Sequence, residues 1–598
     1  MRTSIATVSL SGSLTEKLTA AARAGFDGVE IFENDLLAAV LTPEEVRARC
    51  ADLGLTVDLY QPLRDIEAVP ADLFARNLRR ARHKFALMRR LGADTVLVCS
   101  SVDPAAVDDD ALAAEQLREL ADLADDFGIR VAYEALAWGR HVSTYDHAWR
   151  IVEAAAHPAL GTCLDSFHIL SRGSDPKGIA DIPGEKIFFL QLADAPLLAM
   201  DVLQWSRHYR CFPGQGGFDL RDFTARVLAT GYAGPLSLEV FNDVFRQADP
   251  DRMAVDAMRS LLILEEALGA EAGEAPPPAS PRLDGWAFVE LAVEPSSAAE
   301  TQRALHALGF AHTAQHRTKP VALWQQGAIR VLLNAGAPNA PGVVALGVES
   351  ADPQGSAARA EALLAPVLDR ERGPGEADLA AIATPDGTQI FFCRTDAGNA
   401  ASWLRDFEPV APGNGRAGGA LRAIDHLALS QPFDYFDEAE LFYRSVHGLA
   451  PRESLELAAP DGLVRSRAVA AADGAVRLAL NVPLTGGGHG GVQHVAFASA
   501  DVLAVARAMR ERGVPALEIP GNYYDDLAAR TDLDPALVDT MRELGVLYDR
   551  DAHGELLHVH TPVLGGRLSL EVVERRGGYD GYGAANSPVR MAAQRAPA

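Results

Sequence analysis

Apolar residues along roughly the first 270 positions gather in short runs, separated by longer stretches in which they recur at three- and four-residue spacing. The short runs predict strands at Ser4–Leu10, Gly28–Glu33, Thr56–Gln61, Asp94–Ser100, Arg130–Ala135, Leu160–Asp165, Ile187–Ala193 and Pro235–Val240. The stretches between them predict helices, among them Leu14–Gly25, Pro43–Gly54, Leu73–Gly92, Ala111–Gly128, Tyr145–His157 and Leu220–Gly231. Most of these stop at glycine, the usual helix terminator. Eight strands, each followed by a helical stretch, make an α/β fold of the (β/α)8 TIM-barrel type the expectation. A doubly wound sheet is the alternative; polar residues at the ends of several strands favour the barrel.

Past this region the pattern breaks at Ala272–Pro281 (AGEAPPPASP), whose prolines and small residues read as a semi-rigid linker. The expected division is a barrel over 1–271, a linker over 272–283 and a second domain over 284–598. Within the second domain, Val410–Gly419 has loop composition and separates a first unit, about 284–410, from a second, about 420–580. The first unit opens with a strand at Trp286–Val293 and a helix at Ala298–Gly309. The order recurs in the second, with Ile424–Leu429, Phe436–Gly448, Arg465–Asn481, Val492–Phe497, Leu503–Gly513 and Arg567–Val573. Repeated βαβββ units are the α+β pattern of the vicinal-oxygen-chelate (VOC) fold, whose curled sheets enclose a metal.

Composition narrows the function. The chain of 598 residues has 55 Lys+Arg against 81 Asp+Glu, a net charge of −26. That balance argues against nucleic acid or an anionic membrane as partner, since phosphate binding needs clustered positive charge. The five cysteines (Cys50, Cys99, Cys163, Cys211, Cys393) are scattered without CxxC spacing, so neither a disulfide framework nor a zinc-thiolate site is expected. No signal peptide and no apolar run of membrane-spanning length is evident. The expectation is a cytoplasmic protein acting on a small-molecule substrate, with a homo-oligomer as an option.

Four consecutive strands of the barrel end on a potential oxygen ligand: Glu134 in VAYEAL, Asp165 in LDSFH, Gln191 in LQLAD and Glu239 in LSLEVF. Three carboxylates and an amide aimed into one mouth call for a neutralising cation. An all-oxygen set suits Mg²⁺ or Mn²⁺, with Co²⁺ as a third option. His168, three residues past Asp165, is a candidate base for a proton beside a carbonyl. Arg64 in QPLRDIE and Arg210 in HYRCFPGQGG are candidates for gripping a substrate carboxylate. The glycines of PGQGG lack the Lys-Ser/Thr of a phosphate-binding loop and read as a turn.

The strand-end Glu, the DxxH and the FPGxG-FD segment resemble the sugar-phosphate isomerase/epimerase-like barrels. QPLRDIE, LDSFHIL and LQLADAP further resemble the two-domain bacterial 3-dehydroshikimate dehydratases, over nearly the whole chain. The resemblance implies loss of water from 3-dehydroshikimate to give protocatechuate, in quinate and shikimate catabolism. Gln191 stands where ketose epimerases of the superfamily generally place histidine, which favours the dehydratase. The C4 proton of the substrate is α to its C3 ketone and the C5 hydroxyl is β to it, so His168 would act at C4. Tyr133, Glu134, Ser206 and His208 stay open as donors to the leaving hydroxyl. The alternatives are a sugar or keto-polyol isomerase with a regulatory second domain, and a binding protein whose barrel has lost activity.

In the second domain, His426 (AIDHLAL), His494 (GVQHVAF) and Glu571 (LSLEVVER) lie in or at the edges of strands. Two histidines and a carboxylate form the facial triad of non-haem Fe(II) sites. GVQHVAF, NYYDDL, LEVVERRGG and GYGAAN resemble 4-hydroxyphenylpyruvate dioxygenase, which implies Fe²⁺ or Mg²⁺ at this triad and a metal-free first unit. LTGGGHGG, after Asn481-Val482-Pro483, departs from that family's serine-glutamine segment. The expected role is therefore a metal-holding domain with altered catalysis, or a structural one.

Overall fold

The computed structural model describes residues 1–269, 276–337, 341–369, 372–395, 402–410, 419–460, 462–483 and 493–595. The start of the expected linker (272–275), the loop after Val410 and the LTGGGHGG segment thus fall outside the described residues. Two compact units divide the chain, Met1–Pro277 and Pro278–Ala598.

In the first unit eight strands close a barrel in sequence order. They are β1 (Thr3–Ala6), β2 (Gly28–Phe32), β3 (Thr56–Arg64), β4 (Thr95–Cys99), β5 (Arg130–Glu134), β6 (Leu160–Asp165), β7 (Ile187–Leu192) and β8 (Leu236–Leu238). All pairings are parallel, including β8 back onto β1, so every carboxyl end opens at one mouth. Buried side chains such as Leu59, Leu97, Ala132, Cys163 and Phe189 pack in one cluster beneath it. Helix starts follow local chemistry: Ser13 with Glu16, and Thr42 with Glu45, each form a reciprocal capping box. Such a cap residue stabilises its helix by about 1 kcal/mol because amides without an intrahelical partner are satisfied. The first helix, Leu14–Ala24, ends at Gly25, whose φ of 94° lies in the region that a Cβ disfavours.

The first strand ends earlier than the sequence expectation, while the third, expected to end at Gln61, runs on to Arg64. The chain leaves β1 after Ala6 in a 3-10 turn, Thr7–Ser9, instead of continuing to Leu10. Two buried hydroxyls take over the ladder: Thr7 Oγ1 accepts from Phe32 N at 3.0 Å and Ser9 Oγ from Val240 N at 2.9 Å. Short polar side chains offer the backbone this alternative to strand pairing.

The second unit repeats one sheet twice. Its first sheet contains β9 (Leu283–Ala292), β10 (Ala311–His316), β11 (Val321–Gln326), β12 (Ile329–Asn334), β13 (Gly342–Ser350), β14 (Ala381–Ala383), β15 (Gln389–Cys393) and β16 (Phe407–Pro409). The second contains β17 (Leu421–Ser430), β18 (Ala450–Ala459), β19 (Gly462–Ala470), β20 (Arg477–Pro483), β21 (Gln493–Ser499), β22 (Leu547–Arg550), β23 (Gly554–His560) and β24 (Leu568–Gly577). In both, the opening strand lies between a parallel partner (β12 or β20) and an antiparallel one (β13 or β21). The run Arg465–Asn481, named without an internal division in the sequence reading, forms the hairpin β19–β20. Its turn is built on Asp473-Gly474, with Gly474 at φ 72° and its amide donating to Ala471 O. Asp-Gly is a strong turn signal, overlooked because apolar residues flank it.

Among the described residues no helix is long and apolar enough to cross a membrane. All five cysteines are buried and unbridged.

Candidate active site and metal centres

At the barrel mouth, strand geometry brings most of the expected residues together. Glu134 ends β5, Asp165 ends β6 and Glu239 follows β8 directly, all buried. Asp165 has two tasks. Its Oδ1 caps the short helix Ser166–Leu170, accepting from Phe167 N at 2.6 Å and His168 N at 3.2 Å. Its Oδ2 is left for the mouth. The cap positions His168, whose Nε2 lies 3.8 Å from Asp165 Oδ2 and 3.9 Å from Glu134 Oε2.

Arg210 lies between the carboxylates, almost fully buried. Its Nη1 donates to Asp165 Oδ2 at 2.8 Å and to Glu239 Oε2 at 3.1 Å, while Nε and Nη2 both donate to Ser206 Oγ. The Phe167 ring lies 4.6 Å from the guanidinium. Arg210 is therefore engaged with the acidic groups, whereas Arg64 lines the same cavity with Glu134, Trp138, His168 and Glu239. A wider cavity of about 1060 Å³ opens at the amino ends of the strands, around Arg2, Asp58 and Arg130, where no such convergence occurs.

Electrostatics follow from burial. Burial pushes Glu239 up to about 7 despite Arg210, and Glu134 is raised by burial and by Asp165 and Glu239. Burial would raise Asp165 as well, but Arg210 and His168 hold it below its ordinary value. His168 is lowered to about 3 by burial, so its ring is neutral at neutral pH. The Ala137 amide donates to its Nδ1 at 3.1 Å. The neutral ring then carries its proton on Nε2, so the 3.2 Å approach of Arg210 Nη2 to that atom joins two donors and is not a hydrogen bond.

The donor set fits a divalent cation. Glu134, Asp165 and His168 offer atoms within 4.8 Å of one another. Glu134 Oε1 is buried without a hydrogen-bond partner among the described residues, a costly state that a cation would relieve. Gln191 is oriented by neighbours of its own: its Nε2 donates to Glu30 Oε2 at 2.6 Å and its Oε1 accepts from Cys163 Sγ at 3.5 Å. Glu30 and its second amide partner Gln61 were missed in the sequence. The available signal was a lone charge inside the buried run Gly28–Phe32. Of the candidate donors to the leaving hydroxyl, Ser206 and Glu134 line the cavity. Tyr133 instead donates to Glu67 at 3.0 Å, and His208 is half-exposed against Asp243. The PGQGG amides are spent internally: Gly214 N donates to Asp194 Oδ2, Gln215 N to Phe212 O and Gly217 N to Ala195 O.

In the second unit, β17, β21 and β24 lie side by side. The register sets both His426 and Glu571 opposite Ala496, with His494 two residues away. His426 Nε2, His494 Nε2 and Glu571 Oε2 form a triangle with sides of 3.2, 3.3 and 3.1 Å. Ligands about 2.1 Å from one ion and at right angles stand about 3.0 Å apart, so the triangle has the dimensions of a metal-binding face. Among the described residues Glu571 Oε2 has no hydrogen-bond partner. Burial opposes the Glu571 charge, but His560, His494 and His426 hold its carboxyl well below the usual range.

Outer contacts orient this face. His426 Nδ1 donates to Asp425 Oδ1 at 2.8 Å, and Arg575 forks onto Asp425 at 2.8 and 2.9 Å while its Nη1 donates to Gly581 O at 2.7 Å. Backing a ligand histidine with a carboxylate fixes its tautomer. Asn586 Nδ2 donates to Tyr548 O and to His558 Nε2, which puts the His558 proton on Nδ1, 2.7 Å from Glu571 Oε1. Sequence reading missed His558 and His560; the signal was the HVH alternation on β23. Among the described residues, no candidate metal cluster draws on β9–β16.

Comparisons with known proteins agree with this division. Residues 18–264 match the family model of the xylose isomerase-like TIM barrel. Residues 279–396 match the N-terminal part of hydroxyphenylpyruvate dioxygenase, and 423–539 the glyoxalase/bleomycin resistance protein/dioxygenase superfamily. The chain is 46% identical to a 3-dehydroshikimate dehydratase of Pseudomonas putida and 47% identical to one of Pseudomonas aeruginosa, each over 99% of this chain and 98% of the relative. A solved structure described as a xylose isomerase-like TIM barrel/4-hydroxyphenylpyruvate dioxygenase fusion protein superposes with a TM-score of 0.89 at 45% identity, covering 99% of both chains.

Proposed function

The chain belongs to the two-domain 3-dehydroshikimate dehydratases, and from that premise we propose which of its residues carry out the reaction. It is a carbon–oxygen lyase that removes water from 3-dehydroshikimate, and the alternatives of an isomerase and of an inactive binding protein fall with that membership. Loss of water followed by enolisation leaves the aromatic ring of protocatechuate, so the reaction runs strongly downhill. Its place is in the breakdown of quinate and shikimate.

Glu134, Asp165, Gln191 and Glu239 are proposed to hold a divalent cation, Mg²⁺, Mn²⁺ or Co²⁺. That ion supplies positive charge for an enolate oxygen at C3. The observation that carries the reading is the buried cluster of carboxylates with the partnerless Glu134 Oε1 beside His168. Arg64 is the proposed grip on the ring carboxylate, since it faces the cavity and has no hydrogen bond with Asp165 or Glu239. Arg210 can join it once a cation has relieved it of the acidic groups. Holding the carboxylate fixes which carbon meets the proton-transfer group.

His168 is that group, acting through Nε2. As a base it takes the C4 proton on Nε2 while the C–H electron pair moves into the C3 carbonyl, a role that needs the tautomer with Nε2 free and the Ala137 contact given up. The bond from Ala137 N to Nδ1 favours a second order of events, because the resting ring has its proton on Nε2. In that order Glu134, which also lines the cavity, takes the C4 proton and delivers it to the departing C5 hydroxyl. His168 acts on the acid side only, hydrogen-bonding from Nε2–H to that hydroxyl as water leaves. For either role, His168→Ala is expected to abolish dehydration, read as protocatechuate absorbance, with cation still bound. Solvent deuterium exchange at C4 separates the two: the variant loses it if His168 is the base and keeps it if His168 is the acid. Full turnover by the variant would remove His168 from the mechanism.

For the second domain we propose Fe²⁺ or Mg²⁺ on His426, His494 and Glu571, in a metal-holding role. Oxygen uptake with 4-hydroxyphenylpyruvate and Fe²⁺ tests for dioxygenase turnover; none is expected.

A further inference from the structure

Glu30 lies at the floor of the barrel mouth, fully buried on β2, where no part of the reaction calls for a fourth acid. Its Oε2 accepts from Gln61 Nε2 at 2.8 Å and from Gln191 Nε2 at 2.6 Å, and its Oε1 accepts from Ser237 Oγ. Strands β3, β7 and β8 therefore all send a donor to one carboxylate on β2. The same Gln61 amide also hydrogen-bonds to Glu239.

An amide has two chemically opposite ends. A buried carboxylate within 2.6 Å of the Gln191 terminus must face its NH₂, because two oxygens at that distance would repel. The carbonyl end is thereby turned away from Glu30. Its one hydrogen-bonding neighbour is the weak donor Cys163 Sγ, so a lone pair of Oε1 is left to spend elsewhere. Without an acceptor at position 30, the amide has no reason to prefer this orientation over the flipped one, which would aim two N–H groups at the cation site.

We propose that Glu30 is a positioning residue for the cation site: it holds the Gln191 amide so that Oε1 is the end offered to the metal, and steadies Glu239 through Gln61. This rests on the reading of Gln191 as a metal ligand. Partners that orient a ligand typically change metal affinity about ten- to a hundredfold when lost.

The test measures Mn²⁺ affinity by electron paramagnetic resonance on the full-length protein, with the second-domain centre disabled by Glu571→Ala. Glu30→Asp keeps the charge but withdraws the carboxylate by about 1.5 Å, one C–C bond. It is expected to weaken Mn²⁺ about tenfold or more. Glu30→Gln is the rescue: its Oε1 can still accept from both amides while its Nε2 donates to Ser237, so affinity should stay within a few-fold of the parent. In a Gln191→Ala background, Glu30→Asp should have little further effect. Parent-like affinity in Glu30→Asp would overturn the proposal, as would an equal loss in Glu30→Gln, which would assign the effect to charge. If the parent itself binds no Mn²⁺, the ligand reading fails and the proposal fails with it.

Discussion

Arg210 makes a quantitative prediction. Its guanidinium is the fixed positive charge bonded to Asp165 and Glu239, with Glu134 close by, all within the buried mouth. Arg210→Met keeps the apolar stem and removes the charge. Breaking a buried ion pair by deleting one partner typically costs about 3–5 kcal/mol. Glu239, already near 7, can take up a proton at neutral pH and soften the repulsion, so the lower end, about 3 kcal/mol, applies. For a domain of this size each kcal/mol shifts the midpoint by roughly 2–4 °C, a drop of about 6–12 °C without metal. A cation should compensate. Metal at about a hundred times its Kd stabilises by about 2.7 kcal/mol, and in the variant it need not displace the guanidinium from the carboxylates. The assay is thermal unfolding of the full-length protein in chelator and in saturating Mn²⁺. The deficit should shrink severalfold with metal, and shrink in chelator between pH 8 and pH 6 as Glu239 protonates. An equal deficit in chelator and in Mn²⁺ would refute the view that Arg210 substitutes for the cation.

Two further outcomes follow from other parts of the molecule. Asp425→Asn removes the charge that backs His426 and leaves Arg575 without its fork, so second-domain metal affinity should fall about ten- to a hundredfold, read by retention during dialysis against graded chelator; unchanged retention would refute the role. His447 is buried among Phe392, Phe442 and Tyr443 with no partner for Nε2, and burial lowers it to about 3 from 6.5. The unfolded chain therefore takes up a proton below pH 6.5 that the folded one refuses, and stability present above that pH is lost as pH falls toward 3. At about 1.4 kcal/mol per unit, pH 5 costs about 2 kcal/mol at this residue. His447→Phe should lose that much less between pH 7 and pH 5 in urea unfolding, and an identical decline would argue against a neutral buried ring.

The barrel was legible because parallel strands buried on both faces are continuous apolar runs. A polar residue ending such a run, as Glu134 ends VAYE and Asp165 ends GTCLD, stands out against it. Glu30 breaks its run from inside, which looks like a strand interruption until the closed sheet sets Gln61 and Gln191 around it. Pairing of Arg210 with Asp165 and Glu239 crosses 45 and 29 residues, and only closure of the barrel decides that it points at acids and not at solvent. In the second unit the candidate ligands His426 and His494 stood out as histidines in apolar strands. The supports His558 and Asn586 were not, because their value lies in a tautomer that only the assembled hydrogen bonds define. The strand Ala450–Ala459 and the helices Gly521–Arg530 and Pro535–Leu544 were also missed. Half of the residues in each are apolar, and Val538, Met541 and Leu544 recur at helical spacing, so the signal was present in the last of them.

The contact of Arg575 with the Gly581 carbonyl, and of Asn586 with His558, has a practical consequence. The tail beyond Glu571 contains none of the three candidate ligands, yet it is the outer frame that keeps two of them aimed. A nick or truncation near residue 580 would leave His426, His494 and Glu571 intact in sequence while loosening the centre they form. Loss of metal should therefore be an early sign of carboxy-terminal trimming, ahead of any change in the barrel's turnover.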